Sequence, residues 1–131
     1  MARIGKGARV ADLAGETCVP CRGGEPTLDE NEIEALLPEV PGWRVAERDG
    51  VRRLERSFRF ADFASALEFT GGVGAKAEEA GHHPALLTEW GKVTVGWWTH
   101  AIGGLHRNDF VMAAGTDTVY AKLLEDDGPG S

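Results

Sequence analysis

The stretch Gly81-His82-His83-Pro84-Ala85-Leu86-Leu87-Thr88-Glu89-Trp90-Gly91-Lys92-Val93-Thr94-Val95-Gly96-Trp97-Trp98-Thr99-His100 decides the class of fold, because the sequence changes period across it. Upstream, Phe63, Leu67, Thr70, Val73 or Gly74, and Ala77 recur at helical spacing, with Asp62 as a cap near the start. Gly81 suits the left-handed position that closes a helix, and Pro84 restricts His83 to extended backbone. Downstream, residues 86–90 and 93–99 flank a Gly91-Lys92 turn. Val93, Val95, Trp97 and Thr99 alternate there with Thr94, Gly96, Trp98 and His100. That alternation predicts a β-hairpin with one buried face.

Working outward, the same grammar repeats. Thr27-Leu28-Asp29-Glu30 reads as a capping box opening a helix that carries Ile33, Leu36 and Leu37 and stops at Pro38. Pro41-Gly42 turns the chain into a short strand at 43–45, and Arg48-Asp49-Gly50 holds a hairpin turn signal. The next strand, 51–60, places Leu54, Phe58 and Phe60 on one face. Gly103-Gly104 ends the second hairpin. A last helix spans about 106–124, with Phe110, Ala113, Ala114, Ala121 and Leu124 expected on its buried side. The order is α-β-β-α-β-β-α, an α+β domain with a four-stranded antiparallel sheet and helices packed on one face. Residues 1–26 read as a flexible arm, 27–125 as the domain and 126–131 as a tail.

A chain of 131 residues is one domain by length. Composition is that of a globular protein, 42% hydrophobic and 27% charged, with a net charge of −7. No apolar run approaches the roughly 20 residues that span a bilayer. Nor does Met1-Ala2-Arg3 lead into a secretory signal, so a cytoplasmic protein is expected. The acidic balance argues against nucleic acid, whose binders neutralise phosphate with a basic face. Arg52, Arg53, Arg56 and Arg59 form a local basic cluster, but strand alternation divides them between two faces. Gly71-Gly72-Val73-Gly74-Ala75-Lys76 is not a phosphate loop, since Lys76 follows Ala75 inside a helix without the Gly-Lys-Ser/Thr that the loop requires. Each helical glycine costs on the order of 1 kcal/mol against alanine, a cost that close packing on the sheet or a second subunit would offset. Cys18-Val19-Pro20-Cys21 is half of a zinc pattern with no second pair, and it lacks the strand and helix of a redox motif.

His82, His83 and His100 are three of the four histidines in the chain, and the fold order lets them share one cleft. Imidazole titrates nearest neutrality, so it can give and take protons within one cycle. Glu78 precedes His82 by one helical turn and could fix an imidazole tautomer. Asp109 lies in the first turn of the last helix, where a carboxylate is also a plain dipole-stabilising residue. Zinc is the alternative use of three histidines. Adjacent residues in extended backbone point to opposite sides, however, and would not easily chelate one ion. The residues favour proton transfer without metal.

Glu78-x-x-x-His82-His83-Pro84, the aromatic Trp90, Thr99-His100, Gly104-Leu105 and Asp109 together resemble the signature of the pterin-4a-carbinolamine dehydratases. The likeness runs from about Leu28 to Leu124 and includes Pro41-Gly42-Trp43 and the Phe-x-Phe-x-x-Phe of 58–63. The resemblance implies dehydration of 4a-hydroxytetrahydropterin to quinonoid dihydropterin, with no cofactor, in a homodimer or dimer of dimers. It further implies that His82 and His100 perform acid–base work and that His83 binds and polarises the pterin. Thr99 and Trp90 would bind substrate beside it, while Glu78 and Asp109 orient the imidazoles. Leu86 stands where the family often has an aromatic, and His106 where a capping Ser or Thr is common. Dehydratase-like proteins of α-carboxysome operons offer a second reading, a RuBisCO assembly factor without the reaction. Some animal relatives suggest a third, a dimerisation partner for a transcription factor.

Overall fold

The structure is a computed structural model that describes residues 13–19 and 24–126. The predicted order stands. Helix α1 (Glu30–Leu36) runs into a 3-10 turn (Leu37–Glu39), followed by β1 (Arg44–Arg48) and β2 (Val51–Arg59). Helix α2 (Phe63–Ala80), strands β3 (Ala85–Glu89) and β4 (Lys92–Trp97), and helix α3 (Arg107–Asp126) complete it. The four strands form one antiparallel sheet in the order β1-β2-β4-β3. Asp49 and Gly50 both take positive φ in the β1–β2 turn, as a two-residue hairpin turn demands. In the second hairpin the turn is Trp90-Gly91, and Lys92 already pairs with Glu89.

Alternation sorts the sheet residues. Leu54 and Phe58 of β2 and Val93, Val95 and Trp97 of β4 are buried together against Phe69, Val73, Phe110 and Ala113 of the two long helices. Phe69 lies 4.8 Å from Phe58 and 5.1 Å from Phe60, tilted as aromatic pairs prefer. The opposite face carries Glu55, only 6% exposed, whose charge is answered by Arg44 and Arg48. These hydrogen bonds hold Glu55 below the usual carboxylate range. The basic cluster of β2 is dispersed as expected: Arg52 pairs with Glu30, Arg56 with Asp117 at 2.7 Å, and Arg53 lies 4.0 Å over the Trp98 ring.

Four local expectations are corrected. The capping box of α1 is Asp29 with Glu32: Asp29 Oδ1 accepts from the Glu32 N–H, and Glu32 Oε1 from the Asp29 N–H, both at 2.8 Å. The buried stripe of α2 is Ala66, Phe69, Val73 and Ala77, while Phe63 and Leu67 stay exposed. Val73 and Ala77 are buried as expected, and only the first half of the stripe is displaced, to Ala66 and Phe69. On α3, Ala121 and Leu124 are exposed and Leu123 is half-buried. The stripe that packs against the core there is Val119, Tyr120 and Leu123, and helical period turns 121 and 124 away from it. Finally, residues 13–19 of the predicted loose arm pack on the domain, with Leu13 fully buried. Cys21 and the 127–131 part of the tail lie outside the described residues.

The glycines of α2 divide by position. A Cβ on Gly72 would come within 3.1 Å of Val119, so this glycine lets α2 approach α3. Gly71 and Gly74 face open space within the chain.

Candidate active site

Two chain reversals bring the histidines together. At the end of α2, Gly81 adopts φ +67, and the His82 N–H donates to the Ala77 carbonyl at 3.1 Å. This left-handed closure delivers His82 and His83 from a helix that has just stopped. At the end of β4, Thr99 bridges to Gly104, its N–H donating to the Gly104 carbonyl at 2.8 Å, and the intervening turn carries His100. His82, His83, Thr99 and His100 line one pocket of about 470 Å³. That volume lies within the range of small-molecule sites.

Behind the pocket Asp109 organises the surroundings from complete burial. His82 Nε2 is 2.7 Å from Asp109 Oδ1. The other oxygen, Oδ2, accepts from the Thr99 hydroxyl at 2.8 Å and from the His106 N–H at 2.9 Å. An ionised carboxylate can only accept, so Oδ1 takes the Nε2–H of His82, and in the base form of the ring the lone pair lies on Nδ1. The ring is braced from one side by Trp97, parallel at 5.8 Å and itself anchored by Nε1–H to the Thr116 hydroxyl at 3.0 Å. His106 does what a capping Ser or Thr would do: its Nδ1 accepts from the Asn108 N–H at 3.0 Å. Asp109 answers on the His106 N–H, so an imidazole and a carboxylate form the reciprocal cap of α3.

His83 points the other way, as neighbouring extended residues do, and pairs with Glu78 at 2.6 Å. The carboxylate partner expected for His82 from its spacing therefore belongs to His83, and Asp109 is the partner of His82. Glu78 and His83 are exposed, so their pair contributes at most about 1 kcal/mol to stability. His100 is exposed and stacks on Trp98 at 4.4 Å, and Trp98 carries Arg53 on a ring face. Trp90 does not join the others. It sits in the β3–β4 turn, 73% exposed, at the far end of the hairpin from His82 and Thr99. Among the described residues no group of three or more His, Cys, Asp and Glu side chains is arranged to hold a metal ion.

Sequence reasoning missed three further residues of the pocket wall that come from elsewhere in the chain: Cys18, Val19 and Asn108. Burial, reinforced by the Asp109 charge and opposed by Lys76, pushes the Cys18 thiol up to about 11. It is a neutral wall group at physiological pH. The signal for this segment was Leu13, an isolated apolar residue that now fills the core.

Residues 26–119 match the family model described as pterin 4 alpha carbinolamine dehydratase. The chain belongs to the pterin-4-alpha-carbinolamine dehydratase family. A relative from Nitrosococcus oceani, named as a candidate dehydratase of this kind, is 58% identical over 106 residues, 81% of this chain and 94% of that protein. One from Gloeobacter violaceus, named likewise, is 55% identical over 112 residues, 86% of this chain and 97% of its own. Among solved structures, a transcriptional coactivator/pterin dehydratase from Brucella melitensis aligns with a TM-score of 0.65 and 31% identity, covering 72% of this chain and 98% of that one. A pterin dehydratase-like RuBisCO assembly factor of the α-carboxysome aligns at 0.51 and 23% identity over 60% of this chain and 88% of its own, which is a likeness of fold. Among the described residues no helix is long and apolar enough to cross a bilayer.

Proposed function

We propose that this dehydratase-family protein converts 4a-hydroxytetrahydropterin to quinonoid dihydropterin and water by histidine acid–base catalysis. The observation that carries the reading is the pairing of His82 with the buried Asp109 inside a pocket that also holds His83, Thr99 and His100. Loss of water needs a proton delivered to the C4a hydroxyl, cleavage of the C–O bond, and removal of the N5 proton as the C4a–N5 double bond forms. His82 is suited to take the N5 proton, because Asp109 holds its Nε2–H and stabilises the imidazolium that results. His100, open to solvent and held flat on Trp98, is suited to protonate the leaving hydroxyl and to be recharged from water. His83, held by Glu78, would bind and polarise the ring, with Thr99 beside it. Protons are conserved over the cycle, so the reaction needs no cofactor.

The test is the spectroscopic decay of 4a-hydroxytetrahydropterin with and without the protein. Acceleration by at least about 10²-fold over buffer is expected, the size of one acid–base contribution. A decay no faster than buffer would overturn the dehydratase reading in favour of an assembly or binding role such as contact with RuBisCO. The 23% identical assembly factor shares the fold and lends that second reading no particular residue.

Self-association belongs to the same proposal. β3 is an edge strand; Leu87, paired with Thr94 on the sheet face away from the helices, is exposed, as are Trp90 in its hairpin turn and Phe63 and Leu67 of α2. An open edge flanked by apolar side chains is a surface that a second copy covers well. Sedimentation equilibrium should give a dimer or a dimer of dimers; a monomer at micromolar concentration would exclude it.

A further inference from the structure

The segment 13–19 is fastened to the first turn of α3 at successive residues. The carboxamide of Asn108, 4% exposed, reads the backbone of Val19 at both ends: Oδ1 accepts from its N–H at 3.0 Å, and Nδ2 donates to its carbonyl at 2.8 Å. One residue earlier, Arg107 forms a two-point bridge to Glu16, Nε to Oε1 at 3.0 Å and Nη2 to Oε2 at 2.6 Å. These bonds hold Glu16 below the usual carboxylate range. Leu13 anchors the other end in the core. One residue later, Asp109 holds His82. A single helical turn thus fixes both the reacting imidazole and a strip of chain that lines the same pocket. That strip presents Cys18 and the exposed side chain of Val19 to the same cavity.

We propose that Cys18 and Val19 form an apolar wall of the pterin pocket and that Asn108 is the positioning residue that holds this wall at its binding distance. The inference rests on the dehydratase reading and adds to it a source of substrate affinity. The histidines supply proton transfer and polar contacts. A flat bicyclic ring also needs apolar surface to leave water, and residues 18–19 supply it in the pocket the imidazoles line. Because such a wall touches ring and transition state alike, it acts on KM and leaves kcat nearly unchanged.

The experiment uses the full chain with Cys21→Ser as the background, so that Cys18 is the thiol followed. Two variants are compared with it, Asn108→Leu and Val19→Glu. The leucine has the branched outline of the carboxamide, with somewhat larger ends, but pairs with neither Val19 group, and the glutamate puts charge on the wall with the clamp intact. Iodoacetamide labelling of Cys18 reports the clamp. A thiol at about 11 against an ordinary 9.0 has a thiolate about 10²-fold scarcer. Its greater nucleophilicity returns about tenfold, so release of the strip should speed labelling by about tenfold or more.

For Asn108→Leu we expect that faster labelling together with a KM raised about tenfold and kcat within about threefold. Val19→Glu should raise KM as much with labelling as slow as in the parent. Faster labelling with an unchanged KM would overturn the wall, and unchanged labelling in Asn108→Leu would overturn the clamp. A fall in kcat alone would overturn the assignment by showing that Asn108 acts through Asp109 and His82. If Asn108→Leu fails to fold, Val19→Glu decides by itself, an unchanged KM being the refuting result. A parent with no activity would sink the dehydratase reading, and the wall with it, while the labelling result still judged the clamp.

Discussion

Replacing His82 by alanine is expected to lower kcat/KM for the pterin dehydration by about 10²- to 10⁴-fold, the span of a positioned acid–base group. Asp109→Asn should lose at least about 10²-fold for a different reason. The His106 N–H is fixed on Asp109 Oδ2 and requires an acceptor there. An asparagine must therefore turn its oxygen to that position and offer its NH₂ to His82. His82 Nε2 would then have to accept, which moves the ring proton to Nδ1 and removes the lone pair from the pocket. Nitrogen-15 shifts of the imidazole report the tautomer directly, and steady-state kinetics report the loss. An Asp109→Asn protein with parental kcat, or with Nε2 still protonated, would show that the carboxylate does not set the tautomer.

Trp97→Ala is the second large effect, and it is felt in stability. Trp97 is fully buried, stacks parallel to His82, and donates to the Thr116 hydroxyl. Truncation removes an aromatic ring from a packed core and takes away the N–H that the Thr116 hydroxyl accepts. That hydroxyl still donates to the Met112 carbonyl, so the loss of about 3–5 kcal/mol is mostly packing. That is a large part of the stability of a domain this size. Urea unfolding should show a lower midpoint with a similar slope. A loss below about 1 kcal/mol would mean that the surrounding side chains close the gap, contrary to their dense packing. Trp97→Phe keeps a ring beside His82 and should retain more of both stability and activity.

The comparison of Glu78 with Asp109 shows why the site was only half legible in the sequence. Spacing along a helix brings residues four apart together, and on that rule Glu78 belonged to His82. The left-handed turn at Gly81 rotates the chain between them, so that Glu78 meets His83 instead. Asp109, 27 residues from His82, reaches it because α3 starts beneath the end of β4. Trp90 is a second case in which the location came only with the fold. The family resemblance implied a share in substrate binding, and within this chain a hairpin turn carries it to the far end of the hairpin from His82 and Thr99.

By itself the sequence determined whatever depends on near neighbours. The alternation in β2 and β4, the Asp49-Gly50 turn, the Asp62 cap and the Gly81 stop are local consequences of backbone sterics and side-chain period, and they set the order of elements. The family membership follows from the same residues. What only the tertiary structure decided was which carboxylate serves which imidazole, which stripe of α2 is buried, and where residues 13–19 go. Those outcomes depend on contacts between segments far apart in the chain. Packing selects among pairings that local preference leaves almost equal in energy, so no pattern within a short window could have distinguished them.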